Sequence, residues 1–309
     1  MTRAGTGQAT RARDAGGRTL RWRGFRLWGV ALLMMLAAAA YQRRTGPTYP
    51  VRGRMEVAGE SYAYRLARSG SSSEGARVAI PDPGPRVSAE LHFKRYRTDD
   101  PFTTVPMRRE DEEMVARLPG QPAAGKLEYY VTLDTPGGGL RVPEPETGQI
   151  IVRFKDDVPI YVLLPHVLFM FFAMLVGVRA GLGAAFGPDY TRRLAWTALG
   201  LMTVGGMVLG PIVQKFAFGA FWTGFPSGYD LTDNKVLIMW LVWLVACLVV
   251  GWRVSELRRR ERIAVAAAAL VMLGVYLIPH SAQGSELDWE AVERGMPPSE
   301  AVKTGPESR

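Results

Sequence analysis

Two of the three histidines in the 309 residues stand where an ionisable group is costly. His166 lies inside an uncharged run, residues 158–178, and His280 directly follows another, residues 263–278. At ~1.5 Å per residue, His166 sits about 10 Å below the outer end of its run. Such a residue is a functional candidate by default, with a partner to be named. Between the two, residues 216–235 combine several aromatic side chains, Trp222 among them, with Asp230, Asp233 and Asn234. Aromatic walls with a few polar groups suit a ligand held at one membrane face. Two fillings match these residue types. In one, His166 and His280 supply axial nitrogens to a b-type haem, with Trp222 against the macrocycle. In the other, His166, His280 and a carboxylate from Asp230 or Asp233 bind a transition metal. Against both stands a structural arrangement, which carries the greater weight. His166 then hydrogen-bonds a neighbouring helix, His280 ends a helix, and the loop is an interfacial belt.

The rest of the chain adds little chemistry. The single Cys247, in the middle of an apolar run, reads as a small core residue, and one cysteine excludes a disulfide framework or a Cys-based zinc cluster. His92 falls on a predicted strand without a second ligand nearby. The acidic pieces Asp99-Asp100 and 110–113 lack the ligand spacing of a calcium loop. No nucleophile elbow, zinc-protease motif, phosphate-binding loop or dinucleotide fingerprint is present, so a non-catalytic role is expected. Gly206 and Gly210 form a small-xxx-small pattern whose ordinary use is close helix packing.

The candidate residues must be positioned by membrane helices. Uncharged runs cover residues 158–178, 194–213, 236–252 and 263–278, and a span needs about 20 residues. A shorter run, residues 27–41, follows a basic segment and ends in four alanines. It reads either as an uncleaved anchor, the favoured choice, or as a signal peptide. The net charge of +9 is unevenly placed. Residues 1–26 hold seven Arg against one Asp, 179–193 three against one, and 253–262 five against two, an excess of +11. Basic residues confined to alternate short segments follow the positive-inside rule; a nucleic-acid surface would gather them on one folded face. No nucleic-acid partner is therefore expected. The expected topology is multi-pass in the cytoplasmic (inner) membrane, with the N-terminus inside.

Residues 42–157 then lie outside. Short alternating runs at 51–57, 62–67, 77–80, 87–96, 113–118, 127–133 and 150–154, separated by Gly-, Pro- and Ser-rich pieces, predict an all-β sandwich of the immunoglobulin type. The stretch Leu118-Pro-Gly-Gln-Pro-Ala-Ala-Gly-Lys-Leu-Glu-Tyr-Tyr-Val-Thr-Leu133 resembles bacterial fibronectin-III-like domains, in which a Pro/Gly turn leads into a strand with a Tyr-Tyr pair. That resemblance implies a binding or spacing module without catalytic residues. The membrane part is loosely similar to haem-handling proteins of cytochrome c assembly, where outward histidines flank a tryptophan-rich loop ending in Asp; here the loop has only Trp222.

The sequence thus predicts an α-helical polytopic membrane protein of about five spans with an inserted all-β, Ig-like sandwich. Its parts are a basic N-terminus (1–26), an anchor or signal peptide (27–41), the sandwich (42–157), a four-helix membrane domain (158–280) and an acidic tail (281–309) with a short amphipathic helix, losing structure past Gly295. The expected role is an accessory or assembly protein with a ligand site at the outer face, its partners being the bilayer and other membrane or extracytoplasmic proteins. The alternative is a haem- or metal-binding protein of electron transfer or cytochrome assembly.

Overall fold

The computed structural model describes residues 6–187, 190–252, 256–279 and 285–303, with side chains from residue 24 onward. The chain divides into two compact units. One contains Met1–Gln42, Leu164–Gly210 and Lys235–Ile278; the other contains Arg43–Leu163, Pro211–Asn234 and Pro279–Arg309.

The first unit is helical. It draws on α1 (Thr6–Thr45), α2 (Ile160–Phe186), α3 (Thr191–Met202), α5 (Leu231–Val250) and α6 (Arg259–Leu277); α3 passes through a π-helical turn, Thr203–Leu209, into α4 (Gly210–Phe218). Among the described residues, four helices are long and apolar enough to cross a membrane: Gly24–Thr45, Ile160–Phe186, Thr191–Phe218 and Leu231–Val250. The helix α6 is not among them. Its first turn is Arg259-Arg-Glu-Arg262, which leaves 15 uncharged residues to Leu277.

The core of this unit is built from small and flexible side chains, which let helices approach closely. Trp243 and Cys247 are fully buried, and the indole Nε1 of Trp243 donates to Met272 Sδ at 3.1 Å. A Cβ on Gly177 would lie 2.7 Å from the tip of Met272 and 3.0 Å from Trp243, so glycine there lets α2 pass this pair without moving the methionine. Arg179, just past the uncharged run 158–178, continues α2 and is 2% exposed, its guanidinium 5.7 Å from the Trp28 ring. The helix runs on to Phe186 through Gly181 and Gly183, so packing against its neighbours rather than propensity carries it there.

The second unit is a set of mostly antiparallel sheets over one apolar core, an arrangement compatible with a β-sandwich. Its strands are β1 (Val51–Val57), β2 (Glu60–Leu66), β3 (Ser69–Ser71), β4 (Ala76–Pro81), β5 (Ser88–Arg95), β6 (Thr103–Pro106), β7 (Arg108–Glu110), β8 (Glu113–Leu118), β9 (Lys126–Thr135), β10 (Gly138–Val142) and β11 (Ile150–Lys155), with β12 (Glu286–Leu287) and β13 (Val302–Lys303) in the tail. The largest sheet runs β3-β11-β9-β5-β6, with β10 also on β9; β4-β8-β7, β1-β2 and β12-β13 form the others. The period-two pattern explains the core. Leu127, Tyr129, Val131 and Leu133 on β9 alternate inward and meet Val78, Ile80, Leu91, Met114 and Phe154. The Tyr-Tyr pair is split by the same alternation. Tyr129 is buried and donates to Ala67 O at 2.7 Å, and burial raises its pKa; Tyr130 stacks on His92 at 4.8 Å. The ring of His92 is bridged to Thr104 and Thr132 across its neighbouring strands, a satisfied sheet residue.

The tail is more ordered than its composition suggests. Asp288 caps the short helix α7 (Trp289–Glu293) by accepting from Ala291 N at 3.2 Å. Past Gly295, where loss of structure is expected, Asp288 N donates to Ala301 O and Leu287 pairs with Val302 over a small cluster of Leu287, Ala291 and Ala301.

Candidate functional site

His166 follows Pro165 on α2. Its Nδ1 lies 2.8 Å from the carbonyl oxygen of Gly205, in the π-helical turn. A carbonyl can only accept, so Nδ1 carries a proton, and in the neutral ring Nε2 keeps its lone pair. The same carbonyl accepts the amide of Gly210, the i→i+5 bond that defines the turn. Pro211 comes next and has no amide hydrogen to extend an ordinary helical ladder. Glycine is required at this crossing. A Cβ on Gly205 would lie 2.8 Å from Phe169 Cβ, and one on Gly206 would lie 2.7 Å from Val236 Cγ1. Close packing falls on Gly205 and Gly206; a Cβ on Gly210 would have only ordinary contacts. Thr203 steadies the turn: its hydroxyl donates to Leu199 O at 2.8 Å and accepts from Trp240 Nε1 at 2.9 Å. The π-turn escapes sequence reasoning, since only the Gly-Gly pair and Pro211 hint at it.

The loop that follows α4 is organised by its two aspartates. One Asp233 oxygen accepts from Thr223 N at 2.7 Å, Gly224 N at 3.1 Å and the Thr223 hydroxyl at 3.2 Å. Asn234 Oδ1 accepts from Phe225 N at 2.7 Å. A Cβ on Gly224 would approach Asp233 Cβ to 2.7 Å, so the loop closes on its helix only with glycine there. Asp230 caps α5, one oxygen accepting from Thr232 N at 2.8 Å; the other accepts from Ser285 N at 3.2 Å and the Ser285 hydroxyl at 3.1 Å. Thr223, Asp230, Asp233 and Ser285 are all buried, as such a network must be to repay desolvation. Trp222 turns its indole N–H to Phe225 O at 3.0 Å, while Phe221, Phe225 and Tyr229 remain exposed.

The end of α4 and the tail are both fixed to the β-rich part. Asp156 N donates to Ala217 O at 3.1 Å, and the Arg153 guanidinium lies 4.3 Å from the Phe218 ring. Burial lowers the Arg153 pKa, an effect opposed by the charges of Asp230 and Glu286. Glu286 pairs with Lys126 at 3.1 Å, and Leu287 N donates to Ala124 O. At the end of β5, Arg95 holds Asp100 through bonds of 2.6 and 2.9 Å, reaches Glu293 at 2.7 Å and lies 5.1 Å from the Trp289 ring.

Of the residues singled out by sequence, Trp222 lies in the loop after α4, and Asp230 and Asp233, at the start of α5, hold that loop and the tail. His166 belongs to the helical unit, and His280 lies outside the described residues. Asp230 and Asp233 already accept backbone amides, and among the described residues no group of three or more His, Cys, Asp or Glu side chains is placed to hold a metal ion. Thr223, Gly224, Ser285 and Arg153 were missed by sequence reasoning; their partners lie about ten to eighty residues away, beyond the reach of local patterns. Compared with protein-family models and with curated proteins, the sequence matches none.

Proposed function

We propose that this chain is an accessory or assembly protein of the inner membrane that holds a fibronectin-III- or immunoglobulin-like sandwich outside the cytoplasm and presents it to a protein partner. In this reading α1 is an uncleaved anchor, α6 is a fifth span, and the N-terminus is inside. One observation carries it. The segments Arg43–Leu163, Pro211–Asn234 and Pro279–Arg309, separated in sequence by apolar helices, belong to one compact unit, and these are the segments that the arginine distribution assigns to the outside. The buried carboxylates of this unit bind its own loop and tail, the chemistry of a rigid platform. The exposed Phe221, Phe225 and Tyr229 offer the aromatic surface that interfaces favour. A photocrosslinking residue at Phe225 in native membranes should give one recurrent protein adduct; adducts to lipid alone would overturn the proposal.

A second reading rests on His166. A ligand histidine ordinarily donates one ring N–H to a carbonyl and binds with the other nitrogen, and the bond to Gly205 sets His166 up in that way. The π-turn that supplies the carbonyl is a feature frequent at functional sites. Haem b or a transition metal would take Nε2 of His166. A reduced-minus-oxidised spectrum and metal analysis of the purified protein decide this. A Soret band or stoichiometric metal lost in His166→Ala supports it, and neither signal in the wild type removes it.

A further inference from the structure

Within the helical unit, α2 and α6 pack closely at Gly181 and Ala269; a Cβ on Gly181 would lie 2.4 Å from Ala269 Cβ. This contact forms the floor of a wholly apolar groove of about 200 Å³, lined by Gly181, Ala185 and Phe186 of α2 and Ala266 and Leu270 of α6, with Met34 of α1 at its side. Phe186 is 59% and Leu270 71% exposed. In helices of this hydropathy, such a surface faces acyl chains.

An arginine adjoins the groove at Ala185. There Arg262, on the same face of α6 as Ala266, sends its Nε–H to Ala184 O at 2.7 Å and one terminal N–H to Ala185 O at 3.1 Å. These are C-terminal carbonyls of α2, which a cation suits. Arginine has five N–H donors, so a guanidinium anchored by two retains others next to Ala185 of the groove wall. The acid beside it is already engaged: Glu261 is buried, pairs with Arg192 at 3.3 Å and accepts from Arg258 N at 3.1 Å. Arg258, Arg259 and Arg260 are exposed around the same helix end.

We infer that this groove is a binding site for an anionic phospholipid. One acyl chain lies along Gly181, Ala266 and Leu270, and the phosphate accepts the free N–H groups of Arg262. The apolar wall selects a lipid over a soluble anion, and the fixed guanidinium selects an anionic headgroup over a zwitterionic one, since basic pockets between helices take acidic lipids.

The test uses the full chain purified in detergent, with dioleoyl phosphatidylglycerol, dioleoyl phosphatidylcholine and inorganic phosphate as separate probes, read by native mass spectrometry and thermal unfolding. Phosphatidylglycerol should stay bound and raise the unfolding temperature; phosphatidylcholine should do so less, and phosphate not at all. Arg262→Gln should weaken phosphatidylglycerol retention about tenfold, as for loss of a charge-assisted hydrogen bond. Ala266→Phe fills the groove without touching the arginine and should weaken it comparably, which keeps the test decisive if Arg262→Gln folds poorly. Equal retention of both lipids, or undiminished phosphatidylglycerol binding in Ala266→Phe, would overturn the inference and leave only ordinary boundary lipid.

Discussion

Asp233 shows how one side chain can fix a loop. Its oxygen collects two amides and a hydroxyl from Thr223 and Gly224, while Asp230 divides its oxygens between the first turn of α5 and Ser285. Removing a buried acceptor leaves its donors unpaired, and bonds to a charged group are the costly ones to lose. Asp233→Ala should therefore destabilise the β-rich unit by about 2–3 kcal/mol. Asp233→Asn, which keeps a carbonyl oxygen, should cost less. Hydrogen exchange at Thr223 and Gly224 should accelerate in the alanine variant, and unchanged protection would show that the loop is held by other contacts. The residue types of this loop were legible in the sequence. Its purpose was less so, because a carboxylate that ligates and one that binds backbone amides look alike until their partners are known.

At the scale of elements, the legible strands were those whose alternation is uninterrupted. β1 and β8 coincide with the predicted runs, and β9 extends the predicted 127–133 at both ends. The unread ones lack that pattern. β10 begins inside Thr135-Pro-Gly-Gly-Gly139, which reads as a turn, and β3 is Ser-Gly-Ser, whose Gly70 must be bare because a Cβ would lie 2.7 Å from the Phe154 ring. The ordered tail was hidden for another reason: its partners, Lys126 and Arg95 on strands and Ala124 in the turn before β9, lie far away in sequence. Arg95 is the strongest electrostatic link in this clasp. It holds the Asp100 carboxyl down at about 2, helped by the Thr98 hydroxyl. A carboxyl depressed in the folded state stabilises it above the unfolded pKa of about 3.9, and loses that contribution as pH falls toward the folded value. Arg95→Ala should thus lower the unfolding temperature at pH 7, and the Asp100 share of the difference should fade between about pH 4 and pH 2. Both groups are partly exposed, so that share is about 1 kcal/mol or less and falls with added salt. A wild-type–variant gap of constant size down to pH 2 would assign the effect to the packing of Arg95 on Trp289.

At the scale of the whole molecule, the division into apolar helices and a β-rich unit follows from hydropathy and charge placement, whereas the number of crossings depends on α6. Its 15 uncharged residues give about 22 Å at the helical rise, short of a hydrocarbon core of about 30 Å. The bond between Asp230 and Ser285 nevertheless constrains the count. Asp230 precedes α5 and Ser285 follows α6, and the two are joined in one buried contact. If α5 crosses, the chain must return through α6 for that contact to form. The shortfall can be met by arginines of the first turn extending toward the headgroups and by local thinning of the bilayer. A reporter active only outside the cytoplasm should therefore be active when fused after Ser72 or Lys303, and silent after Gly187 or Glu256. The fusion after Lys303 is the decisive one. Silence there, with the other three as expected, would mean that α6 does not cross and that the joining of tail and loop through Asp230 does not form in the membrane.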